Sequence, residues 1–174
     1  MQRFGEVLLM CHGALYRYAR ALSGDPGVAE ELVQETYRRA LAARNKPAVL
    51  SLEQVRPWLF TIQRNIWQNL VRDSRREAEQ ELEEEAHAAP EALSPEHLLQ
   101  QKFLRSEIAQ AVDSLPDAYR EAFVLREVEE LSYAEIAAVI QSPLGTVMSR
   151  LARARQILRR SLAAYGPEHR RVSR

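Results

Sequence analysis

Cysteine, lysine, glycine and aromatic residues are all scarce in this sequence. Among its 174 residues are one cysteine and six glycines, and aromatic residues make up 7%. Cys11 alone can form neither an intrachain disulfide nor a cysteine-based zinc site, and the four histidines lack ligand spacing, so no metal or other cofactor is expected. Low glycine and aromatic content disfavours a sheet-rich chain. We therefore predict an all-α protein.

Membrane and catalytic signals are also missing from the sequence. The first ten residues are interrupted by Gly5 and Glu6 and are too short and too polar for a signal peptide or a membrane span. There is no glycine-rich phosphate loop, no H-E-x-x-H or G-x-S-x-G motif, and no nucleophile with an identifiable base. These absences predict a cytoplasmic chain that does not insert into a membrane and is not an enzyme.

Charge is balanced over the whole chain but distributed unevenly along it. The 24 Lys and Arg residues offset 24 Asp and Glu residues, which gives a formal net charge of +0. Residues 77–97 hold eight Glu, no Lys or Arg and two prolines, a composition that cannot bury a core. We interpret this segment as an acidic flexible linker between two small helical domains, at residues 1–76 and 98–165, with a basic tail at 166–174.

Three helices are predicted in the first domain. The first stops in the segment Ser23–Gly27, where Asp25 and Pro26 fit an N-cap and a first-turn proline for the second helix. Pro57 is predicted to open the third helix in the same way. Four residues of that helix have the spacing of an inward face: Leu59, Ile62, Ile66 and Leu70.

The second helix exposes an acidic patch. Its polar residues lie away from the apolar face: Glu30, Glu31, Gln34 and Glu35. Such a patch suits either plain solvation or docking of a partner, and the pattern alone favours solvation.

The third helix has an outer face rich in arginine and amide side chains: Arg64, Asn65, Gln68, Asn69, Arg72, Arg75 and Arg76. This combination suits contacts with a nucleic-acid strand, because arginines bind phosphate and amides bind base edges. Trp58 and Trp67 lie about 180° apart around the helix, so we expect Trp58 to be buried and Trp67 to be available for stacking.

The second domain carries the strongest local pattern, a helix-turn-helix. Leu98–Leu115 and Pro116–Glu130 are predicted to form helices, and Ser132 and Glu135 then make a capping box for a short helix. Ser142-Pro143 restarts the chain into a longer helix. The exposed start of that second helix would meet DNA, and its candidate contacts are Thr146, Met148, Ser149, Arg150, Arg153 and Arg155.

Several motifs resemble those of extracytoplasmic-function (ECF, group IV) RNA polymerase sigma factors of the sigma-70 family. The strings LYRYARALSGDP (15–26), AEELVQETY (29–37) and RPWLFTIQRN (56–65) are similar to their domain two. LPDAYREAF (115–123), LSYAEIA (131–137) and PLGTVMSRLARAR (143–155) are similar to their domain four. The two sets occur in order and cover most of the chain.

The resemblance implies a role for each surface. It implies that Glu30, Glu31, Gln34 and Glu35 dock on core RNA polymerase, in place of the solvation that the pattern favoured. It implies that the loop Arg44–Leu52, with Asn65 and Asn69, captures the non-template strand of the minus-ten promoter element, and that the helix-turn-helix reads the minus-thirty-five element. An anti-sigma factor is implied as a further partner.

Three positions depart from the family pattern. Gln141 stands where Gly is common in the turn, and a left-handed conformation there would cost a non-Gly residue about 1 kcal/mol. Met148 replaces a frequent Lys, and Asn69 a common Asp. The promoter sequence preference therefore cannot be transferred from the family.

Other functions remain open on the sequence. A sigma-like decoy could bind an anti-sigma factor without recognising a promoter, although both arginine faces are intact. A self-standing helix-turn-helix repressor would need a dimer to match two half-sites, whereas we expect a monomer when the chain is free. The free chain is also expected to bind DNA weakly, because the Glu-rich linker offsets the arginine faces.

Overall fold

The computed structural model describes residues 4–47, 51–80 and 107–163, without the side chains of residues 75 and 77–80. Every regular element in these ranges is helical, as predicted. The elements are α1 (Phe4–Met10), α2 (His12–Ser23), α3 (Pro26–Ala42), α4 (Leu52–Gln80), α5 (107–113), α6 (Asp117–Phe123), α7 (Tyr133–Ile140) and α8 (Leu144–Ser161). We refer to α1–α4 as the N-terminal unit and to α5–α8 as the C-terminal unit.

The N-terminal unit has four helices where three were predicted, because the predicted first helix is divided at Cys11 into α1 and α2. The boundary between α2 and α3 lies where the sequence predicts. Gly24 ends α2 in a left-handed conformation at φ 72°, and the Asp25 carboxylate accepts a hydrogen bond from the Val28 amide at 2.9 Å to cap α3. The prediction for the third helix was wrong at its start, since α4 begins at Leu52 and contains Pro57. Pro57 lies in the second turn of α4, where it has no N–H to donate to the Glu53 carbonyl, so the helix lacks one backbone hydrogen bond there.

Two predictions about side chains of α4 were also wrong. Leu70 was expected to point inward but is 47% exposed, because it lies at the rim of a groove between α3 and α4. The two tryptophans do not divide into one buried and one exposed: Trp58, which contacts Phe4, and Trp67 both pack partly buried against the core.

In the C-terminal unit, the helix predicted over 116–130 changes its winding before it ends. After α6, residues Val124–Val128 form a π turn, in which the Glu129 amide donates to the Val124 carbonyl at 3.0 Å. Glu130 then adopts a left-handed conformation at φ 58°. Single π turns are uncommon and often mark functional sites. The wider turn is followed directly by Glu129, whose side chain is buried.

The predicted helix-turn-helix is present as α7, a short turn and α8. The Ser132 hydroxyl accepts from the Glu135 amide at 3.2 Å and the Glu135 carboxylate accepts from the Ser132 amide at 2.7 Å, so the capping box is confirmed. Gln141 ends α7 at φ 50° and ψ 48°, the left-handed conformation considered for this position. Buried Ile136, Val147 and Leu151 hold the two helices together.

The left-handed conformation of Gln141 leads to a stability prediction. Gln141→Gly should raise the free energy of unfolding by about 0.5–1 kcal/mol, because glycine has no Cβ to clash with the backbone. That gain corresponds to ~1–4 °C in melting temperature for a chain of this size. Gly24→Ala, at φ 72°, is the reverse change and should lower the melting temperature. If the melting temperature of Gln141→Gly is equal to or below that of wild type, the glutamine side chain offsets the backbone strain.

The two units pack against each other, which the sequence did not predict. One buried apolar cluster contains residues of both, including Phe60 of α4 and Leu125 and Ile136 of the C-terminal unit. A smaller cluster beneath α8 is formed by Ala111, Leu115, Ala154 and Leu158. We call this contact between the two units the closed arrangement. Since apolar burial is the main favourable term in folding, the shared cluster stabilises the closed arrangement.

Parts of several predictions lie outside the described residues. These are residues 81–97 of the linker, the basic tail 166–174, residues 48–50 of the loop and the first part of the helix predicted over 98–115. In the part of that helix that the structure describes, Ile108 is 43% exposed. None of the described helices is both long and apolar enough to cross a membrane.

Candidate functional site

The acidic patch predicted on the second helix borders a groove of about 420 Å³ between α3 and α4. Glu31, Gln34 and Glu35 line one side, and Asn69 and Asp73 line the other. The apolar side chains of Val28, Leu32 and Ile66 lie between these two rims, and Leu70 lies at the rim on the α4 side. A groove with an apolar floor and polar rims is suited to an amphipathic helix of a partner.

The four residues of the patch are not equivalent. Glu30, Glu31 and Gln34 are exposed, whereas Glu35 is half-buried and forms ion pairs with Arg38 at 2.6 Å and Arg39 at 2.7 Å. The hydrogen bond from Arg39 lowers the pKa of the Glu35 carboxyl. The negative charge offered to a partner therefore comes mainly from Glu30 and Glu31, and Glu35 orients the two arginines.

The predicted minus-ten residues of α4 lie on two different stripes of the helix. Asn65, Asn69, Arg72 and Arg76 recur at helical spacing along one stripe, and Asn69 lines the groove with the acidic patch. Arg64 and Gln68 lie about 100° away on another stripe, which faces the C-terminal unit. The side chain of Arg75 lies outside the described part of the chain.

Arg64 is bound to the C-terminal unit. Its guanidinium donates to the Glu121 carboxylate at 2.7 Å and its side chain is only 11% exposed. The Tyr18 hydroxyl donates to the same carboxylate oxygen at 2.9 Å. Burial and the nearby Glu121 charge raise the pKa of the Tyr18 phenol, so the phenol stays protonated as a donor. Gln68, with its amide oxygen turned toward Arg64, accepts hydrogen bonds from the two terminal guanidinium nitrogens of Arg64 at 2.8 and 2.9 Å.

A second set of ion pairs joins the units at Glu129, and sequence reasoning missed it. Arg17 of α2 donates to the two carboxylate oxygens of Glu129 at 2.8 and 3.1 Å. Arg56 of α4 donates to the backbone oxygen of Glu129 at 2.7 Å and to its carboxylate at 3.0 Å. The Glu129 side chain is 0% exposed. No local pattern marks Glu129, because its partners are more than seventy residues away.

The stripe of Arg64 and Gln68 also lines a cleft of about 230 Å³ between the two units. Trp67 contributes to the N-terminal side of the cleft, and Arg150 of α8 contributes to the C-terminal side with Asp117. A residue predicted to contact the minus-ten element therefore lies beside one predicted to contact the minus-thirty-five element. The closed arrangement brings the two candidate DNA surfaces together.

The other candidates on α8 differ in their surroundings. Met148, Ser149 and Arg153 are exposed on the surface of the helix, and Thr146 is half-exposed in its first turn. Arg155 instead forms an ion pair with Glu127 at 2.6 Å across the C-terminal unit. The exposed polar start of α8, with Arg153 one turn further on, can enter a DNA groove without rearrangement of the helix-turn-helix.

The chain matches two family descriptions, one for each unit. Residues 8–77 match Sigma-70 region 2, and residues 105–158 match Sigma-70, region 4.

Solved structures share the overall arrangement. The sigma factor RpoE in complex with the anti-sigma factor NepR from Bartonella quintana has a TM-score of 0.68 and 29% identity, and covers 98% of both chains. CnrH in complex with the cytosolic domain of CnrY has a TM-score of 0.61 at 24% identity, covering 94% of this chain and 89% of that one.

Two characterised relatives are similar over much of the sequence. The ECF RNA polymerase sigma factor SigE of Mycolicibacterium smegmatis is 36% identical over 169 residues, which are 97% of this chain and 65% of that protein. The ECF RNA polymerase sigma-E factor of Escherichia coli K12 is 35% identical over 145 residues, which are 78% of this chain and 73% of that protein. The chain belongs to the ECF sigma factors of the sigma-70 family.

Proposed function

We propose that this chain binds core RNA polymerase and directs promoter-specific transcription initiation as a group IV sigma factor. It acts in the cytoplasm, where the polymerase is, and it is not an enzyme in its own right. The observation that carries the proposal is the exposed polar start of α8 in a complete helix-turn-helix, on a chain that also matches region 2. The proposed domains are residues 1–76 and 98–165, joined by the acidic linker 77–97.

The groove between α3 and α4 is the proposed docking site for the polymerase. Glu31 lines the groove and is exposed, Glu30 is exposed next to it on α3, and Leu70 at the rim offers apolar area to an incoming helix. Charge complementarity to a basic surface speeds encounter and fixes the orientation of the partner, while the apolar floor adds affinity.

Promoter recognition is proposed to use α4 and α8. On α8, the residues proposed to meet base edges of the minus-thirty-five duplex are Thr146, Met148, Ser149, Arg150 and Arg153. Arg155 is proposed to meet phosphate once Glu127 releases it. On α4, the proposed contacts to the minus-ten strand are Arg64, Asn65, Gln68, Asn69, Arg72, Arg75 and Arg76.

Control by an anti-sigma factor is proposed from the relatives. The RpoE structure similar to this chain was solved with the anti-sigma factor NepR, and this chain is 29% identical to that sigma factor over nearly its whole length. Such a partner would bind the closed monomer and keep its DNA surfaces together.

Transcription in vitro from a pool of promoters tests the proposal. Bacterial core polymerase with this protein should start transcription at sites that core polymerase alone does not use. Glu31→Lys should reduce those starts by ~10-fold or more, because a reversed charge at the docking edge repels a basic partner. Glu130→Lys is the matched control, since it makes the same change at an exposed position of the other unit. The number of transcription starts obtained with Glu130→Lys should remain close to the number obtained with the wild-type protein.

The outcomes separate the proposal from its alternative. New starts that depend on Glu31 and share two upstream motifs support a sigma factor. If the protein binds an anti-sigma factor but neither binds core polymerase nor yields new starts, the sigma-like decoy is the correct function. Equal losses from Glu31→Lys and Glu130→Lys would mean that the acidic patch is not the docking site.

A further inference from the structure

We propose that Arg17, Arg56 and Arg64 form a phosphate-binding surface for promoter DNA, and that Glu121 and Glu129 cover it in the free protein. The inference rests on the proposed function and adds two residues, Arg17 and Arg56, to the candidate DNA surface. The C-terminal unit thereby acts as an internal competitor for the DNA that the N-terminal unit binds.

In the free protein, the three arginines already bind two carboxylates of the same chain. Arg17 contacts both oxygens of the Glu129 carboxylate at 2.8 and 3.1 Å, and Arg56 contacts one of them at 3.0 Å. Arg64 holds the Glu121 carboxylate at 2.7 Å. The three guanidinium groups come from α2 and α4, so one surface of the N-terminal unit presents three cations to two carboxylates of its neighbour.

A phosphate group fits the same donors. Guanidinium groups bind carboxylate and phosphate with the same forked geometry, and a phosphate offers more acceptor oxygens than a carboxylate. The carboxylates leave one donor unused, because the buried Nε of Arg56 has no hydrogen-bond partner among the described residues. A ligand with more acceptors can satisfy that nitrogen, whereas Glu129 does not.

The closed arrangement carries costs that make it reversible. A buried ion pair gains little net free energy, because desolvation of the charges offsets most of their attraction. A ligand that binds the three arginines more strongly than the two carboxylates do can therefore displace Glu121 and Glu129.

Promoter spacing requires the units to separate. Arg64 and Arg150 line one cleft in the closed form. Elements centred near positions minus ten and minus thirty-five are separated by about 25 base pairs, which is ~85 Å of duplex at about 3.4 Å per base pair. The closed form therefore cannot place α4 and α8 on both elements at once, and opening exposes the arginine surface as the two units move apart.

The test compares Glu121→Gln/Glu129→Gln with a charge-matched control, Asp113→Asn/Glu130→Gln. Both double variants remove two negative charges from the C-terminal unit, but Asp113 and Glu130 are exposed and do not contact the arginine surface. Small-angle X-ray scattering measures the radius of gyration of each free protein. Fluorescence anisotropy measures the affinity for a labelled duplex with a single-stranded minus-ten segment, without polymerase.

The first variant should expand and bind DNA more tightly than wild type. If about 90–99% of wild-type molecules are closed, complete opening raises the apparent DNA affinity ~10- to 100-fold. The control should stay compact, with only the small gain that its charge change gives. Adding Arg17→Gln and Arg56→Gln to the first variant should abolish the gain in affinity while the protein stays expanded, which assigns phosphate binding to these arginines.

Several outcomes would overturn the inference. One is a compact Glu121→Gln/Glu129→Gln protein, and another is a gain in affinity no larger than that of the control. If the double variant loses its helical circular dichroism, the test uses Glu129→Asp instead, because Asp keeps the charge but has a side chain shorter by one methylene. A Glu129→Asp protein with the compactness and DNA affinity of wild type would then reject the inference. Scattering involves no polymerase, so a failure of the transcription assay leaves this test independent.

Discussion

The Phe60→Ala variant is expected to lose about 3–5 kcal/mol of unfolding free energy, the usual cost of truncating a buried phenylalanine. Phe60 is 0% exposed, and its ring meets the edge of the Tyr18 ring at 5.0 Å between centroids. Tyr18 in turn donates to Glu121 of the C-terminal unit. The cavity left by the substitution would therefore weaken both the N-terminal core and the contact between the units. Urea denaturation followed by circular dichroism measures the loss.

Leu70→Ala is the matched control for this prediction. It also truncates a large apolar residue of α4, but Leu70 is 47% exposed and should cost less than about 1 kcal/mol. Because one apolar cluster spans both units, wild-type unfolding should show a single transition. Two separate transitions, or equal losses from Phe60→Ala and Leu70→Ala, would contradict the shared core.

The Arg153→Ala variant is expected to reduce initiation ~10- to 100-fold at promoters that carry its preferred base, the range for loss of a bidentate arginine contact. Arg153 is exposed on α8 and has no carboxylate partner in the described structure, so its guanidinium is available to DNA. Transcription from a library with a randomised minus-thirty-five element, followed by RNA sequencing, gives the effect at each position. Selectivity should be relaxed at one position.

Arg159→Ala is the control for charge alone. Arg159 is exposed in the last turn of α8, about 9 Å further along the helix axis, and should contact phosphate at most. Its loss should weaken all promoters by a similar and smaller factor. If Arg153→Ala has the same uniform effect, Arg153 is a phosphate contact and the base readout lies elsewhere on α8.

Much of the local structure was predictable because its causes are local. Asp25 caps α3, Gly24 ends α2, and Ser132 with Glu135 caps α7, as the residue types and spacings indicated. Each of these features depends on hydrogen bonds within a few residues of the chain. The helix-turn-helix followed from the same signals, together with the apolar spacing of α7 and α8.

Other local features escaped prediction because neighbours in space decided them. Pro57 is typical of a helix start, yet α4 begins five residues earlier, where Val55 is buried in the shared core. Periodicity placed Leu70 inward, but no element in the described part of the chain covers that end of the α3–α4 groove. The π turn after α6 had no recognised signal in the sequence.

The sequence by itself determined the all-helical fold, the caps of α3 and α7, the division into two units and the family. Only the tertiary structure decided that the units close on each other and that Arg64, chosen as a DNA contact, is held by Glu121. It also revealed Arg17 and Arg56 around Glu129. Helix signals act over a few residues, whereas these ion pairs join positions 57 to 112 residues apart, and their geometry depends on how whole helices pack.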